Sequence, residues 1–439
     1  MKNKQTYCPI PWIFQAVRNN GDIRVCCQAN VTRNQGVVRH KNNSSYNAGK
    51  DNLSEARNAT LMKNIRKNML EGIWNEECNR CKTEEESGLN SRRNYELEQW
   101  NYNFNNALAD TLQDGTLVNQ PVVYYDLRFG NFCNLACRMC GPTDSHTWYK
   151  HWTKYHNSNS YEDTHGTVYL EKNKKGRLVT NDYDWHSSET FWNQLNKNIK
   201  NIKHVYMAGG EPLLIDRHYE FLQKCIDTNY SKDIIIEYNT NMTVLPNKVL
   251  DMWKQFKQVR IGASIDGMGK VLEYQRWPIK WESAYENLIK LDKLCQQNNN
   301  IISWLAYTVT AYNVWHLPEF MHWKIFESGF KKINSTKRRP IITHHVAHGP
   351  KRTNIKMLPK QYKEEIKIHY EKNLSKIKEK DIDNNVKIKY ENILKGITKY
   401  LEADLDSKYF EQFKDFTKFL DNERNQNVAE IAPNLVKYI

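Results

Sequence analysis

The chain has 439 residues, of which 39% are hydrophobic, with 13 Trp and 25 Tyr, so a folded core is expected and a disordered protein is excluded. Its 64 basic and 50 acidic residues give a formal charge of +14. No apolar run reaches the roughly 18 residues of a membrane helix, and residues 1–17 lack the apolar stretch of a signal peptide. We therefore expect a soluble, cytoplasmic protein without a membrane partner.

The first eighty residues predict a β-hairpin and a helix. An Asn-Gly pair at positions 20–21 separates two short apolar runs, residues 12–17 and 23–27, which is a strong hairpin signal. Apolar residues then recur at helical spacing over residues 53–70, and Gly72 ends that helix. Residues 83–112 are also predicted to be mostly helical.

Four cysteines accompany these elements. The hairpin and the returning helix would gather four soft ligands, which suit either structural zinc or an iron–sulfur cluster: Cys8, Cys26, Cys78 and Cys81. Cys27 is predicted to face away from Cys26, because side chains alternate on a strand. Cys225 and Cys295 lie in apolar helical patterns and are predicted core residues. Clustered C-x2-C spacing indicates metal in a reducing compartment rather than disulfides.

From residue 122 onward, strands alternate with helices. The predicted strands are residues 122–129, 204–208, 234–239, 259–264, 301–310 and 341–346, and the clearest helices are 218–228, 248–256, 283–297 and 317–328. This alternation predicts an α/β fold with a parallel sheet and right-handed crossovers, and six strands fit a partial (β/α)6 TIM-like barrel. Ligands of such barrels bind at the carboxyl ends of the strands.

Two motifs stand at those strand ends. After the first strand comes C-x3-C-x2-C, formed by Cys133, Cys137 and Cys140, which suits three-point ligation of one iron–sulfur cube and leaves one iron open. A zinc knuckle or a set of buried thiols is the alternative. The second strand runs into Gly209, Gly210, Glu211 and Pro212, where glycines allow close backbone approach and the carboxylate can receive an ammonium.

Together these motifs resemble the radical S-adenosylmethionine (radical SAM) superfamily. The resemblance implies that Cys133, Cys137 and Cys140 hold a [4Fe-4S] cluster, that SAM binds its open iron, and that reductive cleavage of SAM yields a 5′-deoxyadenosyl radical that abstracts hydrogen. It also implies that the Gly-Gly-Glu-Pro turn binds the SAM amino group and that the reductant is a flavodoxin or a ferredoxin. Met139 stands where many members have an aromatic residue near the adenine.

The same resemblance assigns further SAM contacts to polar residues after the third and fourth strands. Asn241 would line the pocket, Ser264 and Asp266 would contact the ribose or carboxylate, and Arg276 would pair with the carboxylate, for which a guanidinium is well shaped. Residues 309–313 are an adenine-side candidate. The alternative for each is an ordinary turn residue or a surface arginine.

The N-terminal cysteine pattern, with Gly21-x4-Cys26, a helix and C-x2-C, resembles the auxiliary cluster module called Twitch, a shortened SPASM domain. In better-known relatives this module follows the barrel. The resemblance favours a second [4Fe-4S] cluster over zinc, with electron acceptance as its role. The predicted domains are a Twitch-like module (1–82), a helical connector (83–121), the radical SAM barrel (122–358) and a helical C-terminal extension (359–439).

A structure or role can be predicted for three further segments. The insertion at residues 156–187, with a possible hairpin of 167–171 and 177–180, is either a lid or a surface elaboration. Residues 331–360 contain nine Lys or Arg, no acid and three histidines (His344, His345, His348), so they either attract a phosphate, a nucleic acid or an acidic peptide or form a solvated face. The pattern of residues 359–422 predicts a charged, amphipathic helix that packs against the barrel.

The preferred functional hypothesis is hydrogen abstraction from a peptide or protein side chain or another anionic substrate, with the auxiliary cluster accepting an electron. One alternative is radical modification or dehydrogenation of RNA, a nucleotide or a sugar-like metabolite, motivated by the basic tract. The other is a non-catalytic iron–sulfur redox sensor, against which the intact Gly-Gly-Glu-Pro element speaks.

Overall fold

The computed structural model describes residues 5–29, 35–163, 166–180, 183–334 and 341–439. The chain divides into two compact units. The first comprises Met1–Phe132, Asn159–Tyr238 and Gln255–Gln258, and the second comprises Cys133–Ser158, Asn239–Lys254 and Val259–Ile439.

The strands and helices are numbered in chain order. The strands are β1 Phe14–Val17, β2 Ile23–Arg24, β3 Tyr124–Arg128, β4 Ser160–Asp163, β5 Gly166–Tyr169, β6 Glu171–Lys172, β7 Leu178–Val179, β8 His204–Ala208, β9 Ile235–Thr240, β10 Gln258–Ser264, β11 Ile301–Val309 and β12 Thr343–Val346. The helices are α1 Ile10–Ile13, α2 Leu53–Arg57, α3 Thr60–Glu71, α4 Asn79–Glu86, α5 Arg92–Gln99, α6 Phe104–Ala109, α7 Tyr149–His156, α8 Glu189–Asn198, α9 Asp216–Asp227, α10 Asn247–Trp253, α11 Lys270–Gln275, α12 Trp281–Gln297, α13 Leu317–Phe326, α14 Lys360–Lys378, α15 Asn384–Leu401, α16 Lys408–Arg424 and α17 Pro433–Val436.

In the first unit, the sheet joins the N-terminal hairpin to the predicted barrel strands. β1 and β2 pair antiparallel, which confirms the hairpin, although the strand begins at Phe14 because residues 10–13 form the short helix α1. β1 also pairs in parallel with β3, β3 with β8 and β8 with β9. The hairpin therefore extends the sheet that holds the first barrel strand.

The two faces of these strands differ in chemistry, as the two-residue repeat of a strand requires. One face is apolar and buried, and it includes Leu127, Val205, Met207 and Ile236. The opposite face carries polar groups that contact one another: the Tyr124 and His204 rings stack at 4.5 Å, and Arg128 Nε lies 3.3 Å from Asp126. We call this second surface the polar strand face.

The second unit contains the remaining parallel strands. β10 pairs with β11 from Val259 to Ser264, and β11 pairs with β12 from Ala306 to Val309, both in parallel. All six predicted barrel strands are present within two residues of their predicted bounds. Parallel strands that alternate with helices in this way confirm the α/β class and are consistent with a partial TIM-like barrel.

Three predicted elements differ from the structure. The helix over residues 53–70 is interrupted between Arg57 and Thr60, although it ends at Gly72 with φ +80° as expected. The predicted hairpin of 167–171 and 177–180 is confined to β6 and β7, because residues 166–169 form β5 and pair with β4 instead. The charged C-terminal helix is three helices, and Asp383 caps the second by accepting a hydrogen bond from Asn385 N–H.

The last long helix covers the cysteine loop within the second unit. Phe416 and Leu420 of α16 form a buried cluster with Ala136 and Trp148, and Cys140 packs against it. Among the described residues, no helix combines the length and the hydropathy that a membrane span needs.

Candidate functional site

The three cysteines of the loop lie on one short turn. Cys133 and Cys137 are buried and Cys140 is half-buried, and Cys140 N–H donates to the Cys137 carbonyl at 2.9 Å. A hydrogen bond between the Cys137 and Cys140 thiols lowers the pKa of Cys137 and raises that of Cys140. The three soft donors of this loop fit three-point ligation of an iron–sulfur cube.

Residues 145–148 hold the backbone of this loop in place. The hydroxyl of Ser145 donates to the Leu135 carbonyl at 2.6 Å, and that of Thr147 donates to the Cys133 carbonyl at 2.6 Å. Trp148 Nε1 donates to the Cys137 carbonyl at 3.0 Å. These residues are not among those predicted from the sequence. A polar Ser-His-Thr run directly before a helix is an N-cap signal that would have drawn attention to them.

Asp266 and Arg276 meet at Cys137. Arg276 Nε donates to Asp266 Oδ2 at 2.6 Å, and Arg276 Nη1 lies 3.9 Å from Cys137 Sγ. Burial disfavours the guanidinium charge, but the Asp266 carboxylate and Cys137 outweigh it and raise the pKa of Arg276. The structure thus brings two of the predicted residues to the cysteine loop, and their assignment to SAM stays a prediction.

The other predicted strand-end residues take different places. Asn241 Nδ2 donates to Asn134 at 3.0 Å and lies 3.8 Å from Cys133 Sγ. Ser264 ends β10 and is half-buried, and Met139 is half-buried in the loop. Within 309–313, Asn313 Nδ2 donates to the Asp266 carbonyl at 2.9 Å, so this segment supports Asp266.

The Gly-Gly-Glu-Pro turn, in the first unit, lies against the end of β3. Both glycines have positive φ, +75° at Gly209 and +52° at Gly210, and a Cβ on Gly210 would lie 2.4 Å from the Phe132 carbonyl oxygen. Glu211 N–H donates to that same oxygen at 2.9 Å, and its side chain is buried. Pro212 begins the following turn of 3₁₀ helix. The turn is therefore anchored to the residue directly before Cys133.

The second set of cysteines also gathers in the first unit. Cys8 interacts electrostatically with Cys78 and Cys81, and Cys26 interacts with Cys8. Burial raises the pKa of Cys8, and it raises that of Cys78 to about 12. Four cysteines linked by these electrostatic effects are soft donors of the type that binds zinc or an iron–sulfur cluster. Among the described residues, no three His, Cys, Asp or Glu side chains are spaced to hold a single metal ion, and no disulfide joins the ten cysteines.

The prediction for Cys27 is wrong. Its thiol is hydrogen-bonded to that of Cys26, which lowers the pKa of Cys27 and raises that of Cys26. Because β2 ends at Arg24, both cysteines lie beyond the strand, and the alternation of strand side chains does not apply to them. Cys27 also interacts with Arg92, Asp126 and Arg128.

The polar strand face therefore borders the second cysteine set. Arg92 pairs with Glu96 and donates to the Tyr124 hydroxyl at 3.0 Å. Glu96 Oε1 is held by Arg92 and Asp126 Oδ1 by Arg128 Nε, whereas buried Arg92 Nε has no hydrogen-bond partner among the described residues. Arg128 keeps 26% of its side chain exposed, and its guanidinium carbon lies 5.8 Å from the centre of the Tyr206 ring. A buried N–H without a protein partner is a position that water or a polar ligand can satisfy.

A cavity of about 890 Å³ opens in the same unit between the N-terminal loops and the insertion. Its walls carry charges of both signs, including Arg24, Arg39 and Asp51. The Trp185 ring forms part of the lining and stacks on Phe129 at 5.9 Å. The insertion thus shapes a polar cavity beside the residues that follow β3.

The end of the basic tract, residues 348–356, contacts the C-terminal helices, whereas residues 335–340 lie outside the described residues. Lys351 lies 5.3 Å from the Tyr409 ring, Arg352 3.9 Å from Phe416 and Lys356 4.3 Å from Tyr400. His344 and His345 lie on β12, and His348 follows it near the Tyr400 hydroxyl. These contacts favour a packing role for this part of the tract.

A comparison with protein families matches residues 127–321 to the Radical SAM superfamily. The chain contains a radical SAM domain. The matched segment includes both the cysteine loop and the Gly-Gly-Glu-Pro turn, as well as Asp266 and Arg276. Domains of this family bind a [4Fe-4S] cluster and SAM, and the family implies an enzyme.

Solved structures of radical SAM enzymes also align with the chain. anSMEcpe with bound AdoMet and Cp18Cys peptide aligns at 14% identity and a TM-score of 0.33, over 57% of this chain and 59% of its own, so the chain spans less than two thirds of that protein. Streptococcus suis SuiB bound to S-adenosylmethionine aligns at 11% identity and a TM-score of 0.34, over 78% of this chain and 66% of its own. No curated protein matches the chain.

Proposed function

We propose that the chain is a radical SAM enzyme that abstracts hydrogen from a substrate, with Cys133, Cys137 and Cys140 holding a [4Fe-4S] cluster. The observation that carries this proposal is the single loop that presents three thiols within the radical SAM domain. When bound, the cluster and SAM would supply the one-electron cleavage that yields a 5′-deoxyadenosyl radical.

The predicted SAM contacts have distinct parts in this proposal. Arg276 would receive the SAM carboxylate on its Nη atoms, while Asp266 holds the Nε side and fixes the plane of the guanidinium at 2.6 Å. The Gly-Gly-Glu-Pro turn would receive the SAM amino group through Glu211. Packing of α16 over the loop would keep bulk water away from the thiolates.

The second cysteine set would hold an auxiliary [4Fe-4S] cluster that accepts an electron from the substrate. Its support is the gathering of Cys8, Cys26, Cys78 and Cys81 beside the polar strand face. Clusters with thiolate ligands persist in a reducing compartment, so a cytoplasmic location and a flavodoxin or ferredoxin reductant belong to the same proposal.

For the substrate we propose a peptide or protein segment with an anionic group. The guanidinium of Arg128 lies at the carboxyl end of β3, is partly exposed, and contacts Asp126 through Nε, so its Nη atoms suit a carboxylate. A cavity of about 890 Å³ is at the upper end of small-ligand pockets and has room for several residues of a peptide.

The two cysteine sets can be separated by anaerobic reconstitution. We expect about eight irons per chain in the wild type, the content of two cubes. Cys137→Ala is expected to abolish SAM cleavage, because it removes a ligand of the cluster that binds SAM. Cys81→Ala is expected to keep some cleavage and lose substrate conversion. The measurements are iron and sulfide content and 5′-deoxyadenosine formation with dithionite.

Cys225→Ala is the matched control, because Cys225 is fully buried in α9 and belongs to neither set. It is expected to leave iron content unchanged. Equal and complete loss of cleavage in Cys137→Ala and Cys81→Ala would contradict separate roles for the two sets. Four irons with one zinc would assign the second set to zinc, and absence of 5′-deoxyadenosine from the reconstituted wild type would favour a non-catalytic redox protein.

A further inference from the structure

The side chain of Arg424, at the C-terminal end of α16, lies next to the cysteine loop. Its guanidinium is 4.8 Å from the Trp148 ring and 4.9 Å from the Trp277 ring, and the residue is 7% exposed. Trp148 Nε1 donates to the Cys137 carbonyl at 3.0 Å, and the Trp277 carbonyl accepts from Ala136 N–H at 2.8 Å. Both tryptophans beside the guanidinium are therefore also hydrogen-bonded to the backbone of the loop, Trp148 through its ring N–H and Trp277 through its backbone carbonyl.

Three arginines surround this loop, and two of them are balanced by carboxylates. Arg276 pairs with Asp266 at 2.6 Å, and Arg138 pairs with Asp421 at 2.6 Å. Arg424 differs from both, because none of its three side-chain nitrogens has a hydrogen-bond partner in the described part of the chain. The groups that act on its charge include Cys137, which attracts it, and Arg138, which repels it.

The charge of Arg424 persists at neutral pH. Burial, with a smaller contribution from the repulsion of Arg138, lowers the pKa of its guanidinium to about 9, while the attraction of Cys137 opposes the change. Asp144 acts on Cys140 as a negative charge. The Arg424 nitrogens are buried, and among the described residues no carboxylate is hydrogen-bonded to them.

A structural role alone does not account for this arrangement. Two indole rings attract a guanidinium, but they satisfy none of its N–H donors, and an apolar side chain would fill the same space without that desolvation cost. A group at the loop whose negative charge increases would make the buried cation favourable. An iron–sulfur cube on three thiolates is such a group, because each electron it accepts adds one negative charge.

We propose that Arg424 is a positioning residue that raises the reduction potential of the cluster held by Cys133, Cys137 and Cys140. This inference rests on the proposed function of the loop. The field of an unbalanced buried cation is weakly screened, so it stabilises the reduced state of the cluster more than the oxidised state. The C-terminal helix would thereby make the cluster easier to reduce.

The test is a redox titration of the full-length reconstituted protein, monitored by EPR. The signal to follow is that of the reduced cluster whose spectrum changes when SAM is added, because this response identifies the cluster of the cysteine loop. Arg424→Met removes the charge and retains much of the apolar volume. It is expected to lower the midpoint potential by about 59 mV, which corresponds to a tenfold change in the ratio of reduced to oxidised cluster. Arg424→Lys keeps the charge and is expected to lie closer to the wild type.

Arg352→Met is the matched control. Arg352 stacks on Phe416 of the same helix at 3.9 Å, so its loss removes a comparable ring contact, and its charge acts on Tyr155 and His156. An unchanged potential is expected. Arg424→Gln, which also removes the charge, replaces the Met variant if that one does not take up iron.

An unchanged midpoint potential in the charge-removing variant would overturn the inference. The inference would also be overturned if Arg424→Lys or Arg352→Met shifted the midpoint potential as much as Arg424→Met does. Packing rather than charge would then be responsible for the shift. If the wild type itself forms no cluster whose signal responds to SAM, the proposed function fails, and this outcome is distinct from the others.

Discussion

Arg138 follows Cys137 directly in the sequence and is fully buried, with its guanidinium 3.6 Å from the Tyr274 ring. It donates to Asp421 at 2.6 Å and to Gln426 at 3.0 Å. Arginine is seldom fully buried unless it is paired. The partners of Arg138 come from the end of α16 nearly three hundred positions later, so only the folded chain reveals why the charge is tolerated.

Arg138→Met tests this buried ion pair. The substitution leaves the Asp421 carboxylate, whose side chain is only 14% exposed, without its cation. We expect the free energy of unfolding to fall by about 3–5 kcal/mol, as when one partner of a buried pair is removed. Urea denaturation followed by tryptophan fluorescence measures it.

Lys154→Met is the control, because Lys154 pairs with Glu423 of the same helix but is 57% exposed. Its expected cost is below about 1 kcal/mol. Similar losses in both variants would show that burial of the Arg138 pair does not matter.

At the scale of the elements, the Gly-Gly-Glu-Pro turn makes a close backbone contact with the end of β3. Gly210 and Gly269 both have positive φ, +52° and +54°. They differ in surroundings: a Cβ on Gly210 would meet the Phe132 carbonyl oxygen at 2.4 Å, whereas nothing lies within 4 Å of a Cβ on Gly269. The sequence motif does not reveal this contact, since both glycines read simply as turn residues.

Gly210→Ala is therefore expected to displace the turn from the end of β3. A cost of about 2 kcal/mol or more in the free energy of unfolding should follow from strain and overlap together. SAM affinity should also fall, because the turn carries Glu211. Thermal unfolding and equilibrium dialysis with labelled SAM provide the two measurements.

Gly269→Ala isolates the backbone strain and is expected to cost about 1 kcal/mol without loss of SAM affinity. Equal effects of the two alanines on SAM binding would refute the role of the Phe132 contact.

Buried histidines occur in both units of the molecule, and they share one effect on stability. Burial lowers the pKa of His218 from 6.5 to about 3, and it lowers that of His151 and His316 to about 4. His218 Nε2 lies 2.7 Å from the Tyr238 hydroxyl in a position with no solvent exposure. These groups are neutral in the folded protein and become charged on unfolding in mild acid.

The sign of the pH dependence follows from this difference. The unfolded chain binds protons on these histidines below pH about 6.5 while the folded chain does not, so acid favours unfolding. Each such histidine should reduce the free energy of unfolding by about 1.4 kcal/mol per pH unit as the pH falls from about 6.5 to its folded pKa. In His218→Phe, the free energy of unfolding is expected to fall less steeply with decreasing pH, by the contribution of this one histidine.

Urea denaturation at pH 7, 6 and 5 measures the slope. His322→Gln serves as the control, because that side chain is 44% exposed. A slope in His218→Phe that equals the wild-type slope would exclude His218 as a contributor.

The sequence by itself determined the barrel strands and the chemistry of the cysteine loop, because both are local: strands follow from apolar runs bounded by turns, and ligand spacing is fixed along one turn of chain. The turn at Gly209 and Gly210 could also be predicted from the sequence. Tertiary structure alone decided the partner of Arg276, the orientation of Cys27 and the placement of Arg424 near Cys137. These depend on contacts between positions far apart in the sequence, or on where a strand ends, and neither is encoded in local periodicity.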